Sequence, residues 1–212
     1  MGLESRSRPS SRRRHWEAIY HAKAEDELSW HQDDPALSLR LIREVASPED
    51  RIIDVGGGSS RLAGRLVEAG FQHVAVLDIA SAALERSKKG TPAYRNNIRW
   101  IVGDLTRVDE VGRFDVWHDR AVFHFLVDPE DRSRYLELAK RTVTSGGHLI
   151  VATFALGGPE TCSGLPVERY DASKLADEFR PTFSLRRAAR ELHRTPWGTR
   201  QPFTYAVLDR KA

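Results

Sequence analysis

The chain has 212 residues, with 33 lysines and arginines against 30 aspartates and glutamates, a formal net charge of +3. That length suits one domain, and a hydrophobic fraction of 40% can build a core without disulfides or metal. A single cysteine, Cys162, excludes an internal disulfide and a cysteine-rich zinc site, and no metal is expected elsewhere. One cysteine fits a reducing compartment, so a cytoplasmic location is expected. No stretch is long and apolar enough to span a membrane, and the basic first residues lack the apolar run of a secretory signal. Arg6 stands where a myristoylation site needs Ser or Thr.

Residues 1–14 read as a disordered basic tail, with Arg6, Arg8, Arg12, Arg13 and Arg14 set among serines and prolines. An arm for nucleic acid is the alternative, but no aromatic residue is interleaved before Trp16, so nucleic acid is not expected as a partner. Residues 15–212 read as one domain whose front, 15–47, is a helical lid. In HWEAIYHAKA, Trp16, Ile19, Tyr20 and Lys23 fall at helical spacing. LSWHQDD is a loop, and PALSLRLIREVA is a second helix opened near Pro35.

From Arg51 the pattern changes. RIIDV is a buried strand ending in three glycines, SRLAGRLVEAG a helix, HVAVLDI a strand and SAALERSKKG a helix. IRWIVGDL and FDVWHDR are further strands, PEDRSRYLELAKRTV a helix and GGHLIVATFA a fifth strand. Strands alternating with helices predict a doubly wound α/β fold with a mostly parallel sheet. After the Gly/Pro loop GPETCSGLPVERY comes a short helix, YDASKLADEF. FSLRRAARELHR and QPFTYAVLDR, joined by TPWGTR, then form an antiparallel hairpin at the sheet edge. The strands total seven.

Two features carry function. Asp54-Val55-Gly56-Gly57-Gly58-Ser59-Ser60-Arg61 lies at a strand-to-helix junction, where glycines let a ligand approach the backbone. Asp78 ends the next strand, where a carboxylate can accept the hydroxyls of a ribose. Together they predict an adenosine-containing ligand. Arg61 replaces the third glycine of a dinucleotide loop, and no Walker lysine is present.

On these residues the chain resembles the class I, seven-stranded S-adenosylmethionine-dependent methyltransferases, over about Arg51 to Arg210. The resemblance implies S-adenosylmethionine as cofactor, held by Asp54, Gly56, Gly57, Gly58, Asp78, Ile79, Asp104, Leu105 and Asp119, with Tyr20 and Trp30 from the lid. It implies a catalytic neighbourhood at the end of the fourth strand: Asp119, Arg120 and His124. Candidates to hold the acceptor are Arg120 and His118 at the end of the fourth strand and, on the Gly/Pro loop beside the site, Cys162, Arg169 and Tyr170, the last two either gripping a substrate anion or facing solvent. HDRAVFHF is also similar to the Asp-Arg-Gly-Ala region of thiopurine-type thiol methyltransferases, with Ala121 in place of glycine. It is similar, too, to the Asp-Lys-Gly region of some lysine methyltransferases. The expected reaction is methyl transfer to an N, O or S nucleophile of a small molecule, with a protein lysine as the alternative. A nicotinamide-dependent oxidoreductase and a non-catalytic cofactor-binding module are the remaining readings. Each histidine has a bland reading as hydrogen-bonded structure, Asp119–Arg120 as an internal ion pair, and Cys162 as an incidental loop thiol.

Overall fold

The computed structural model describes residues 10–211. Two helices come first, α1 (Ser11–Ala22) and α2 (Ala36–Arg43). Five strands and three helices follow: β1 (Arg51–Val55), α3 (Leu62–Glu68), β2 (His73–Asp78), α4 (Ser81–Gly90), β3 (Ile98–Val102), β4 (Phe114–Arg120), α5 (Pro129–Thr142) and β5 (Val143–Phe154). The two-residue strands β6 (Thr161–Cys162) and β7 (Leu165–Pro166), α6 (Ala172–Glu178), β8 (Phe183–Arg194) and β9 (Arg200–Arg210) complete the chain.

The main sheet has seven strands in the order β3-β2-β1-β4-β5-β9-β8. β1 to β5 run parallel, while β9 is antiparallel to both β5 and β8. Successive side chains of a strand point to opposite faces, and both faces here are covered. Ile53, Val55, Trp117, Leu149 and Val151 pack with Tyr135 and Leu138 of α5 and Leu175 of α6. Ile52, Val74, Val116, Ile150 and Tyr205 pack on the other face with Leu41 of α2 and Leu62 and Leu66 of α3. Double burial explains why the successive residues Ile52 and Ile53, which face opposite sides of the sheet, are both apolar. The strand order reverses between β1 and β4, so the crevice for a ligand opens at the carboxyl ends of these strands.

Three local departures have physical causes. The helix expected from His15 starts at Ser11, because the Ser10 hydroxyl caps it by accepting from the Arg13 N–H at 3.2 Å. Residues 10–14 are therefore ordered, and the rest of the expected tail, 1–9, lies outside the described residues. β5 begins at Val143, ahead of the glycines expected to open it, with a register shift opposite Phe114–Val116 and Gly146 at φ 74°. The Gly/Pro loop folds into the β6–β7 hairpin, turning on Ser163 (φ 52°) and Gly164 (φ 77°), the paired positive φ of a type I′ turn. Among the described residues no helix is long and apolar enough to cross a membrane.

Candidate functional site

The crevice has about 780 Å³ of empty space, its open mouth included. Its floor is the glycine turn after β1 and the ends of β2 and β3: Gly56, Leu77, Asp78, Ile79, Gly103, Asp104 and Leu105. Gly56 and Gly58 have φ of 63° and 54°, the left-handed region that disfavours side chains. A Cβ on Gly56 would lie 1.9 Å from Val122 Cγ2, and one on Gly58 would lie 2.3 Å from the Tyr20 hydroxyl. One on Gly57 would press on Val76 and Asp54. The Asp78 carboxylate braces this turn. It accepts from the Gly58 N–H at 2.9 Å and the Ala80 N–H at 2.8 Å, and burial pushes its pKa up to about 6.

α1 roofs the crevice. At its start Arg12 reaches α5 and the loop after β3, bonding Asp131 at 2.5 Å and Thr106 at 3.1 Å. In its middle Glu17 accepts from Ser81 N and Oγ, each at 2.7 Å, and from Ala82 N at 3.1 Å, so it caps α4 from outside. Near its end Tyr20 is buried over the glycine turn, and Arg86 of α4 donates to the Tyr20 carbonyl. Trp16, Trp30 and Phe125 line the remaining wall with Leu126 and Cys162. Trp16 meets Phe125 edge-on at 5.1 Å and Trp30 at 5.8 Å.

A smaller, more polar hollow adjoins the crevice, sharing Trp30, Gly56 and Arg120 with it. Asp54, Ser38, Ser59, Ser60 and His118 line it. His118, expected near the acceptor, is instead tied to Asp54 at 2.7 Å and Ser38 at 2.9 Å.

Four other expected site residues are not brought to the crevice. Asp119 is fully buried and accepts from Val122 N at 2.9 Å, Phe123 N at 3.1 Å and Tyr135 Oη at 2.6 Å, which fixes the turn after β4. Burial raises its pKa to about 7. Tyr170 is in the core against Phe123. Arg169 bonds the Gly158 carbonyl and Glu160. His124 is fully buried between Phe125 and Phe154, where Nδ1 accepts from the Phe154 N–H at 3.3 Å. Loss of solvation pulls its pKa down to about 3. Cys162 does line the crevice, and burial pushes its thiol up.

Arg120 lines both cavities. Its guanidinium donates to Glu191 at 3.1 Å, Tyr205 at 3.1 Å and the Trp30 carbonyl at 3.2 Å, and lies over the Phe203 ring. The bland reading of an Asp119–Arg120 pair thus gives way to an Arg120–Glu191 pair. Ala121, where glycine was noted as missing, has φ 72°, a left-handed backbone that costs a non-glycine residue about 1 kcal/mol.

The state of His124 gives a pH prediction. Its pKa is below the unfolded value near 6.5, so the unfolded chain binds a proton that the fold refuses. Stability from this group is complete above pH 6.5 and is lost as pH falls toward 3, by up to about 1.4 kcal/mol per unit. His124→Phe is expected to flatten the acid limb by that one-proton slope. Urea unfolding at pH 7, 6 and 5 checks it, and equal slopes in both proteins contradict it.

Arg12, Trp16, Glu17, Leu77, Val122, Phe125 and Leu126 were not expected as site residues from sequence. The spacing of Trp16 and Tyr20 on one helical face could have indicated the first of the rings. Arg12 could not have been found, because its partners are 94 and 119 residues away.

The methyltransferase domain family matches residues 52–147. Among curated proteins, the eEF1A lysine and N-terminal methyltransferase of Danio rerio is 23% identical over 145 residues, covering 66% of this chain. The chain spans only 21% of that relative's length. A solved structure from work on converting a disulfide bond into a thioacetal group during echinomycin biosynthesis superposes with a TM-score of 0.75. It is 16% identical and covers 92% of this chain and 91% of that one. The 1,6-didemethyltoxoflavin-N1-methyltransferase of Burkholderia thailandensis, solved with 1,6-didemethyltoxoflavin and S-adenosylhomocysteine, gives 0.71. It is 15% identical and covers 94% of this chain and 87% of that one. At such identities the structural likenesses speak for the fold. The glycine turn that a side chain would fill, the buried acid braced beneath it and the apolar pair Ile79 and Leu105 beside it fit an adenosine-containing cofactor. Fold, matched domain and floor agree: residues 52–147 match a methyltransferase domain, the seven-stranded sheet has the fold of S-adenosylmethionine-dependent methyltransferases, and S-adenosylmethionine is the cofactor.

Proposed function

We propose that this chain transfers a methyl group to a nucleophile on a small molecule held beneath α1. The observation that carries this is the roof. α1 spans the crevice from Arg12 on α5 to Tyr20 on the glycine turn, and the wall beneath it is apolar and aromatic. The cofactor, when bound, supplies a methyl group already activated on sulfur. Asp78 accepts the ribose hydroxyls, Ile79 and Leu105 flank the adenine with Asp104 at its rim, and Asp54 faces the amino-acid end. Trp16, Phe125 and Cys162 line the acceptor side and exclude water, so the protein's part is alignment and dehydration. Among the described residues no carboxylate or imidazole lines that side: Asp119 and His124 are turned into the core. The acceptor therefore arrives with its lone pair free, as a thiolate, a carboxylate or an unprotonated nitrogen. Incubation with methyl-labelled cofactor and a panel of small thiols, acids, amines and proteins tests this. Label in small molecules is expected; label in protein alone overturns it. A protein lysine is the second reading, favoured by the name of the Danio rerio relative.

Residues 15–34 act in this proposal as a lid that closes on the cofactor. Their amides are expected to exchange hydrogen rapidly in the free protein and to slow markedly on adding S-adenosylhomocysteine. Equal protection in the two states contradicts a moving lid.

A further inference from the structure

A buried chain of polar groups runs beneath the glycine turn, and the chemistry above does not use it. With Asp54 ionised, His118 Nδ1–H donates to Asp54 Oδ1 at 2.7 Å, and His118 Nε2 pairs with Ser38 Oγ at 2.9 Å. Ser38 Oγ lies 3.4 Å from Tyr205 Oη, which donates to Glu191 at 3.2 Å and accepts from Arg120 Nε at 3.1 Å. Arg120 in turn holds the Trp30 carbonyl. The order Asp-His-Ser is that of an acyl-transfer triad. Ser38, however, is 1% exposed and its oxygen is shared with Tyr205, so it cannot reach a substrate carbonyl.

The geometry gives the chain another task. Asp54 sits directly under the turn, with Oδ2 only 2.7 Å from where a Cβ on Gly57 would stand. A carboxylate so close to the cofactor turn must be held in one rotamer, and His118 is the side chain that grips it. His118 comes from the neighbouring strand at the paired position, Asp54↔His118, so the contact is built into the sheet register. We propose that His118 is a positioning residue for the cofactor: it fixes the Asp54 carboxylate beneath the glycine turn and, through Ser38, ties that acid to α2. This rests on the reading given above, in which Asp54 faces the amino-acid end of the cofactor.

The two ring nitrogens can be tested separately. An asparagine amide approximates Nδ1 and keeps the bond to Asp54; a glutamine amide approximates Nε2 and keeps the bond to Ser38. Calorimetric titration with S-adenosylhomocysteine reads the effect without requiring turnover. His118→Leu and His118→Gln are expected to weaken binding by about tenfold or more, and His118→Asn to stay within about threefold of the wild type. A role confined to holding the fold predicts equal affinities for Asn and Gln once both melt cooperatively, and that result overturns the proposal. Should His118→Leu fail to fold, the Asn and Gln pair still decides. If the wild type itself does not bind S-adenosylhomocysteine, the cofactor reading falls and this inference with it. If it binds and the Asn and Gln variants cannot be told apart, only the inference falls.

Discussion

Replacing Asp78 by alanine is expected to weaken S-adenosylhomocysteine binding by about 1.5–3 kcal/mol, roughly 10- to 150-fold, the worth of a charged hydrogen-bond acceptor. The same change should also loosen the fold. Asp78 accepts two buried N–H groups, Gly58 and Ala80, and each group left unpaired costs about 1–3 kcal/mol. Asp78→Asn separates the two effects. Its amide oxygen can keep one of the N–H bonds, so the fold should lose less, while the charge that favours the ribose hydroxyls is gone. Burial already works against that charge, holding the carboxyl near 6, so the amide is well tolerated there. Titration calorimetry gives the affinities and urea unfolding the stabilities. An Asn variant that binds as tightly as the wild type would move the ribose away from Asp78.

Arg120→Met should cost about 3–5 kcal/mol of stability, because it strands the Glu191 carboxylate in a desolvated position. The pair's side chains are 10% and 16% exposed, so solvent screens it little. Tyr205 and the Trp30 carbonyl lose a donor in the same step. Adding Glu191→Gln removes the orphaned charge, and the double variant is expected to recover more than half of the loss. Urea denaturation of the wild type, both single variants and the double variant measures the coupling. A loss below about 1 kcal/mol in Arg120→Met would show that the pair is solvated and does not tie the sheet to the residues around Trp30.

The fold was legible because its signals are local. Alternating apolar runs and glycine stops marked β1 through β5, and the Pro196–Gly198 turn marked the final hairpin. FSLRRAARELHR has a composition that also suits a helix; pairing with β9 along its whole length makes it a strand. The crevice floor was legible too, since Gly56, Gly58 and Asp78 sit at strand ends whose position follows from the pattern. What side chains do on the far wall was not. Asp119 and Arg120 are adjacent in sequence, yet one turns into the core to Tyr135 while the other reaches across to Glu191. His118 and His124 were both expected at the site, and only tertiary packing gives one an acid partner and the other an apolar cage. Arg12 seemed to belong to a tail because its partners, Thr106 and Asp131, come from distant elements.

The most direct test of the account is ligand-dependent thermal unfolding with four ligands side by side: S-adenosylmethionine, S-adenosylhomocysteine, NAD and ATP. A ligand present at about 100 times its dissociation constant stabilises the folded chain by about 2.7 kcal/mol. The account predicts that both sulfur-containing ligands raise the transition by that order and that NAD and ATP leave it unmoved. A shift with NAD and none with S-adenosylmethionine or its demethylated product would contradict it.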